Sequence, residues 1–137
     1  MQLDEQRFAR IDMLCRRGDE LLEGGDLDGA LASYEKAWQQ IPEPRAAWVV
    51  STWVLSALAD VYFYQGDYPQ ALQVLRDAIL CPDGWDNPYL RLRLGQVHLE
   101  LGDEAQAREA LRQALSAGGG ELFDGDDAKY LAFARSG

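Results

Sequence analysis

Gly25-Asp26-Leu27-Asp28-Gly29-Ala30-Leu31-Ala32-Ser33-Tyr34-Glu35-Lys36-Ala37 decides the reading of this chain, because its skeleton returns twice. Gly66-Asp67 leads to Ala71, Leu75 and Ala78, and Gly102-Asp103 leads to Ala107, Leu111 and Ala114, at the same intervals. Working outward, the residue seven places before each glycine is small: Gly18, Ala59 and Gly95. Such agreement at so many small-residue positions marks an internal repeat. Each unit reads as a helix, a tight turn at Gly-Asp, and a second helix. Glycine ends the first helix because it accepts left-handed backbone angles at little cost. Aspartate starts the second by accepting a backbone N–H. The small residues let the two helices approach closely, and Tyr34, Leu75 or Leu111 fills the space between the alanines. Each hairpin has an apolar face that it cannot bury alone, so neighbouring hairpins must stack.

The pattern predicts helices over about 4–24, 27–40, 44–65, 68–80, 88–101 and 104–117, with Pro44 in the first turn of the third. That third helix gains up to two turns from a seven-residue insertion carrying Trp48 and Val49. Cys81 to Pro88 reads as a turn-rich loop, and Gly118-Gly119-Gly120 as a flexible break. A short helix starting near Asp126 or Asp127, with Tyr130, Leu131 and Phe133 apolar, is expected to cover the last exposed face.

Composition sets limits on function. The chain has 137 residues, enough for one domain, and 47% of them are hydrophobic. With 23 Asp plus Glu against 13 Lys plus Arg, the formal charge is -10. An acidic surface is a poor partner for nucleic acid or for anionic lipid. No apolar run is long enough to span a membrane, and the N-terminus lacks the pattern of a secretory signal. Cys15 and Cys81 lie far apart and form no metal motif, which fits reduced thiols and a cytoplasmic location. His98 is the single histidine, so catalytic triads and multi-histidine metal sites cannot be assembled. His98 itself reads as a packed core residue. Asp124, Asp126 and Asp127 read as a helix cap and solvated charge, since the full calcium loop is missing. No catalytic residue, metal site or cofactor is expected.

The residues Leu14, Gly18, Leu21, Gly25, Ala30, Tyr34, Ala37 and Pro42, with their counterparts in the later copies, resemble the tetratricopeptide repeat, a 34-residue helical hairpin. The resemblance runs over about 11–119. Arg91 and His98 depart from it, standing where the family has large apolar residues. It implies an all-α, right-handed α-solenoid of three hairpins, with repeats at about 11–43, 44–84 and 86–119 and a capping helix at about 121–136. In this family the first helix of each pair lines a concave side. Helical spacing then places Asp12, Cys15, Arg16, Asp19 and Glu23 there from the first unit. Trp53, Ser56, Asp60, Phe63 and Tyr64 follow from the second, and Tyr89, Arg93, Gln96 and Glu100 from the third.

The expected peptide-binding set is Trp53, Asp60, Phe63, Tyr64, Tyr89, Arg93, Gln96 and Glu100, aromatic in the middle and acidic along the edge. Aromatic side chains are common interface anchors. The expected function is therefore a non-catalytic interaction module whose groove takes a protein or peptide segment with apolar and basic residues. Members that grip a C-terminal carboxylate use a clamp of Lys, Asn and Arg. The corresponding positions here are Cys15, Asp19, Ala57, Tyr89 and Arg93, of which only Arg93 matches. Other readings stay open. Small acidic three-repeat proteins resemble bacterial secretion chaperones, some of which form homodimers, and an immunity-type protein that sequesters a toxin is related.

Overall fold

The computed structural model describes residues 3–136, and all regular structure among them is helical. The α-helices in order are α1 Glu5–Glu23, α2 Leu27–Gln39, α3 Val49–Tyr64, α4 Tyr68–Ile79, α5 Pro88–Glu100, α6 Glu104–Gly118 and α7 Ala128–Arg135. Short 3-10 turns at Arg45–Ala47 and Gly120–Phe123 precede α3 and α7. α1 packs on α2, α3 on α4 and α5 on α6, and each hairpin packs on the next through α2–α3 and α4–α5.

The three Gly-Asp turns share one hydrogen-bond pattern. Their glycines have φ of 85°, 76° and 85°, the left-handed region that glycine tolerates. The following aspartate N–H reaches back to the carbonyl of Leu21, Tyr62 or His98 at 2.8, 2.9 and 2.9 Å. The same aspartates then accept from the N–H of Gly29, Gln70 and Gln106 at 2.8, 3.3 and 3.2 Å. One dipeptide thus closes a helix and opens its partner.

The seam of each hairpin is filled as the repeat requires. Ala30, Ala37, Ala71, Ala78, Ala107 and Ala114 are fully buried, as are Tyr34, Leu75 and Leu111 between them. Gly18 lies against the Tyr34 ring so closely that a Cβ there would overlap it. Close helix approach and a large filling side chain are two halves of one packing solution.

Two connections differ from expectation. Residues 44–48 add no α-helical turn, only the 3-10 turn Arg45–Ala47, and α3 begins at Val49. Pro44 is extended (φ -78°, ψ 120°), and so is Trp48 (φ -108°, ψ 136°). Side-chain bonds hold this segment as a loop. The Trp48 indole N–H donates to the Pro42 carbonyl at 2.9 Å, and the Ser51 hydroxyl donates to that of Arg45 at 2.5 Å. The Arg45 guanidinium sits 5.4 Å above the Trp38 ring and donates to the Trp38 carbonyl at 3.2 Å. Local side-chain bonds of this kind compete with helix propagation.

The triple glycine is no loose break either. Gly118 ends α6, Gly119 turns the chain at φ 74°, and the 3-10 turn carries Phe123 into the core. Phe123, Tyr130 and Ala134 form one buried cluster with Leu92, Leu111 and Ala114. α7 therefore covers the end of the stack.

Candidate functional site

The first helices of the three hairpins, α1, α3 and α5, meet in turn, α1 with α3 and α3 with α5, and the two junctions differ. The half between α1 and α3 is open. Leu3, Phe8, Trp48, Val49 and Trp53 line a pocket of about 440 Å³, with Glu5 at its edge. A smaller hollow of about 150 Å³ continues from it between Asp12, Cys15, Asp19, Tyr34 and Ala57. Phe8, Val50 and Trp53 belong to both, so the two form one trough. Trp53 is 55% exposed and Phe8 43%, large apolar surfaces left facing solvent.

The charge of this half is mostly negative. Arg16 Nε pairs with Asp12 at 3.0 Å, but both side chains are well exposed and the pair is weak. Asp19 accepts the Tyr34 hydroxyl proton at 2.5 Å. Burial, then the charges of Asp19 and Asp12, push the Cys15 thiol up to about 11. Cys15 is therefore a neutral thiol near pH 7 and behaves as part of the wall.

The other half, between α3 and α5, is closed by the chain itself. Arg93 is buried at 3% exposure. Its Nε donates to Asp60 at 2.9 Å, its Nη1 to Gln96 Oε1 at 2.8 Å, and its Nη2 to the Tyr89 hydroxyl at 3.1 Å. Tyr89 in turn donates to the second Asp60 oxygen at 2.8 Å. The guanidinium lies 4.4 Å above Phe63, 5.3 Å from the Tyr64 ring and 5.7 Å from that of Tyr89. Burial alone lowers the Arg93 pKa, but Asp60 and then Tyr89 outweigh it and hold the cation more firmly than usual.

The C-terminal segment completes the closure. Asp126 approaches Arg93 Nη1 at 3.7 Å, and Lys129 Nζ meets Glu100 at 2.7 Å. Tyr130 packs beside Phe63 with ring centres 6.4 Å apart. Of the eight residues expected to contact a partner, Trp53 and Tyr64 are exposed. Asp60, Phe63, Tyr89 and Glu100 are half-buried, and Arg93 and Gln96 are buried. The spacing places all eight on neighbouring helices, but Asp60, Phe63, Tyr64, Tyr89 and Gln96 all contact Arg93. His98 is also buried, and burial lowers its pKa.

Sequence reasoning passed over Leu3, Phe8, Trp48 and Val49 as groove residues. Phe8 carries a readable signal, since Phe8, Asp12, Cys15 and Asp19 follow one another at intervals of four, three and four, one face of α1. Trp48 reaches the trough from the loop that replaces the expected helical turns, and Val49 from the first residue of α3.

Comparison with known proteins now fits this geometry. Two family models described as tetratricopeptide repeat match residues 21–84 and 56–121, together most of the chain. The chain belongs to the tetratricopeptide repeat family. It is thereby a member of a family of helical-repeat protein-interaction modules. A search among curated proteins finds no match. Among solved structures, the TPR domain of Arabidopsis OM64 is similar at 16% identity, with 93% of each chain covered and a TM-score of 0.72. The Sgt2 TPR domain from Aspergillus fumigatus is similar at 21% identity, covering 90% of this chain and 74% of its own, with a TM-score of 0.69. The first TPR of Spaghetti (RPAP3), bound to the HSP90 peptide SRMEEVD, is similar at 17% identity. That match covers 98% and 93%, with a TM-score of 0.71. These likenesses establish the fold. Among the described residues no helix is long and apolar enough to cross a membrane.

Proposed function

We propose that this TPR protein is a non-catalytic module that holds a segment of a protein partner in the open, N-terminal half of its groove. The observation that carries the reading is the exposed pair Phe8 and Trp53 above a trough edged by Glu5, Asp12 and Asp19. Apolar side chains of the partner would bury against Phe8, Val49 and Trp53, and Tyr64 would extend the contact. Lys or Arg of the partner would face the carboxylates. Charge complementarity of this kind steers encounter and excludes acidic competitors.

The Spaghetti domain was solved with the acidic peptide SRMEEVD. An acidic peptide is disfavoured here, because Arg93 is buried and engaged by Asp60, and the open trough carries carboxylates. In this reading Asp60, Phe63, Tyr89, Arg93, Gln96 and Glu100 stiffen the wall behind the site. The two unpaired cysteines, Cys15 and Cys81, fit a reducing cytoplasm.

The test is affinity capture from the native host with wild type beside the double variant Phe8→Ala, Trp53→Ala. Partner capture is expected to fall about tenfold or more while helicity by circular dichroism stays unchanged. Capture that survives both substitutions removes the groove assignment.

A further inference from the structure

A second apolar surface lies on the edge of the stack where the connections between hairpins emerge. The α2–α3 and α4–α5 connections border a pocket of about 350 Å³ lined by Trp38, Pro44, Leu55, Leu80 and Cys81. Leu80, its outer wall, is 75% exposed, and Trp85 on the same connection is 70% exposed. None of these residues lines the concave trough.

The loop that carries Trp85 is held rigidly. Gly84 sits so close to the Ala78 carbonyl that no side chain fits there. Thr52 donates to the Pro82 carbonyl at 2.6 Å, tying the loop to α3. Arg91 donates twice to the Trp85 carbonyl, at 3.1 and 2.5 Å, with its guanidinium 4.9 Å above the indole. A loop fastened at three points loses little further freedom when a partner docks. The exposed indole is therefore not the tip of a mobile segment. An exposed, immobilised tryptophan is the residue type that anchors interfaces.

Charge decides the occupant. Glu43 and Asp77 line the pocket, and Asp83 and Asp86 flank Trp85 on its loop. Arg45, also in the lining, pairs with Glu43 at 2.7 Å and stacks on Trp38, and Arg91 stacks on Trp85, while Arg76, one turn before Leu80 on α4, forms no ion pair among the described residues. Asp77, Asp83 and Asp86 likewise form no ion pair among the described residues and outnumber Arg76, so the rim is negative on balance. A second copy, itself carrying -10, would set like charges against each other.

We propose that the pocket beside Leu80, together with Trp85, is a second docking site, taking a partner segment in which an apolar side chain is followed closely by Lys or Arg. It is independent of the concave trough, so one partner or two can be held at once.

The test uses the full-length protein and a pair of short blocked peptides with one leucine pattern. One has lysines between the leucines and the other has glutamates in their place. Tryptophan indole resonances are followed by NMR, assigned through the Trp38→Phe, Trp53→Ala and Trp85→Ala variants. The lysine peptide is expected to shift the Trp85 indole signal, and the glutamate peptide to leave it in place. Leu80→Arg with Trp85→Ala is expected to weaken that binding about tenfold, read from the remaining pocket resonance of Trp38. Phe8→Ala with Trp53→Ala is expected to leave it unchanged. Both outer side chains lie outside the core, so circular dichroism of the first pair should match wild type. Shifts confined to Trp53, equal binding of the glutamate peptide, or concentration-dependent dimerisation abolished by Leu80→Arg would each overturn the proposal. Loss of the Trp53 response alone bears on the trough and leaves this site standing.

Discussion

Arg93 Nε donates to Asp60 Oδ1 across 2.9 Å, joining α5 to α3 behind the groove wall. Arg93 is 3% exposed, so its charge has been taken almost wholly out of water. Removing one member of such a pair leaves the other buried without compensation. Arg93→Met is therefore expected to lower unfolding stability by about 3 kcal/mol. The double variant Arg93→Met, Asp60→Leu should recover part of that loss, because the Asp60 carboxylate is removed together with its cation and only the more distant Asp126 is left without one. Urea unfolding followed by circular dichroism checks both. Additive losses in the double variant would show that the two residues act separately.

The contact of Gly18 with Tyr34 gives a second expectation. A methyl group at position 18 would overlap the ring, so Gly18→Ala should cost about 1–3 kcal/mol through overpacking. The second unit meets the same geometry with Ala59 and Leu75, both fully buried. Tyr34→Leu should then rescue Gly18→Ala, although it forfeits the hydrogen bond to Asp19. The thermal midpoint of the double variant should lie above that of Gly18→Ala alone. If it lies below, the pairing of small and large residues is not interchangeable between units.

These examples show why the fold was readable. The repeat is written in residues whose roles are local and steric: a glycine with positive φ, a capping aspartate, and alanines at a helix seam. Spacing alone locates them. The groove was only half readable, because spacing tells which face a residue takes but not what covers that face. Nothing in the positions of Arg93 and Gln96 signals that Asp126 and Tyr130, more than twenty residues onward, fold back over them. Trp48 was misplaced for a related reason. Its indole bond to Pro42 outweighs helical propensity, and side-chain bonds of that kind leave no periodic trace.

The closing segment makes a third prediction, which separates packing from surface charge. Tyr130 is buried against Phe63 and the last hairpin, whereas the Lys129 side chain is half-exposed. Tyr130→Ala should destabilise by about 3–4 kcal/mol, in the range for truncating a buried aromatic. Lys129→Ala should leave the urea midpoint close to wild type, since exposed ion pairs contribute little. Equal effects of the two substitutions would mean that the Glu100 contact, rather than burial, fastens the segment.

The buried phenols and the Cys15 thiol set the direction of the alkaline response. Burial first, then neighbouring carboxylates, raise the pKa values of Tyr34, Tyr89 and Tyr130, and raise Cys15 to about 11. In the unfolded chain these groups lose their protons near their ordinary values, about 10 for tyrosine and about 8.5 for cysteine. Between those values and the higher folded ones, the folded state holds more protons than the unfolded state. Stability must then fall as pH rises through that window. The urea midpoint is expected to change little up to about pH 8.5 and to drop steadily beyond it. The tyrosinate absorbance of Tyr34, Tyr89 and Tyr130 should appear together with loss of helicity rather than before it, and iodoacetamide should modify Cys15 only slowly at pH 8. Free titration of Tyr34, Tyr89 and Tyr130 at ordinary pKa values in a fully helical protein would contradict the burial of these side chains and the packing around them.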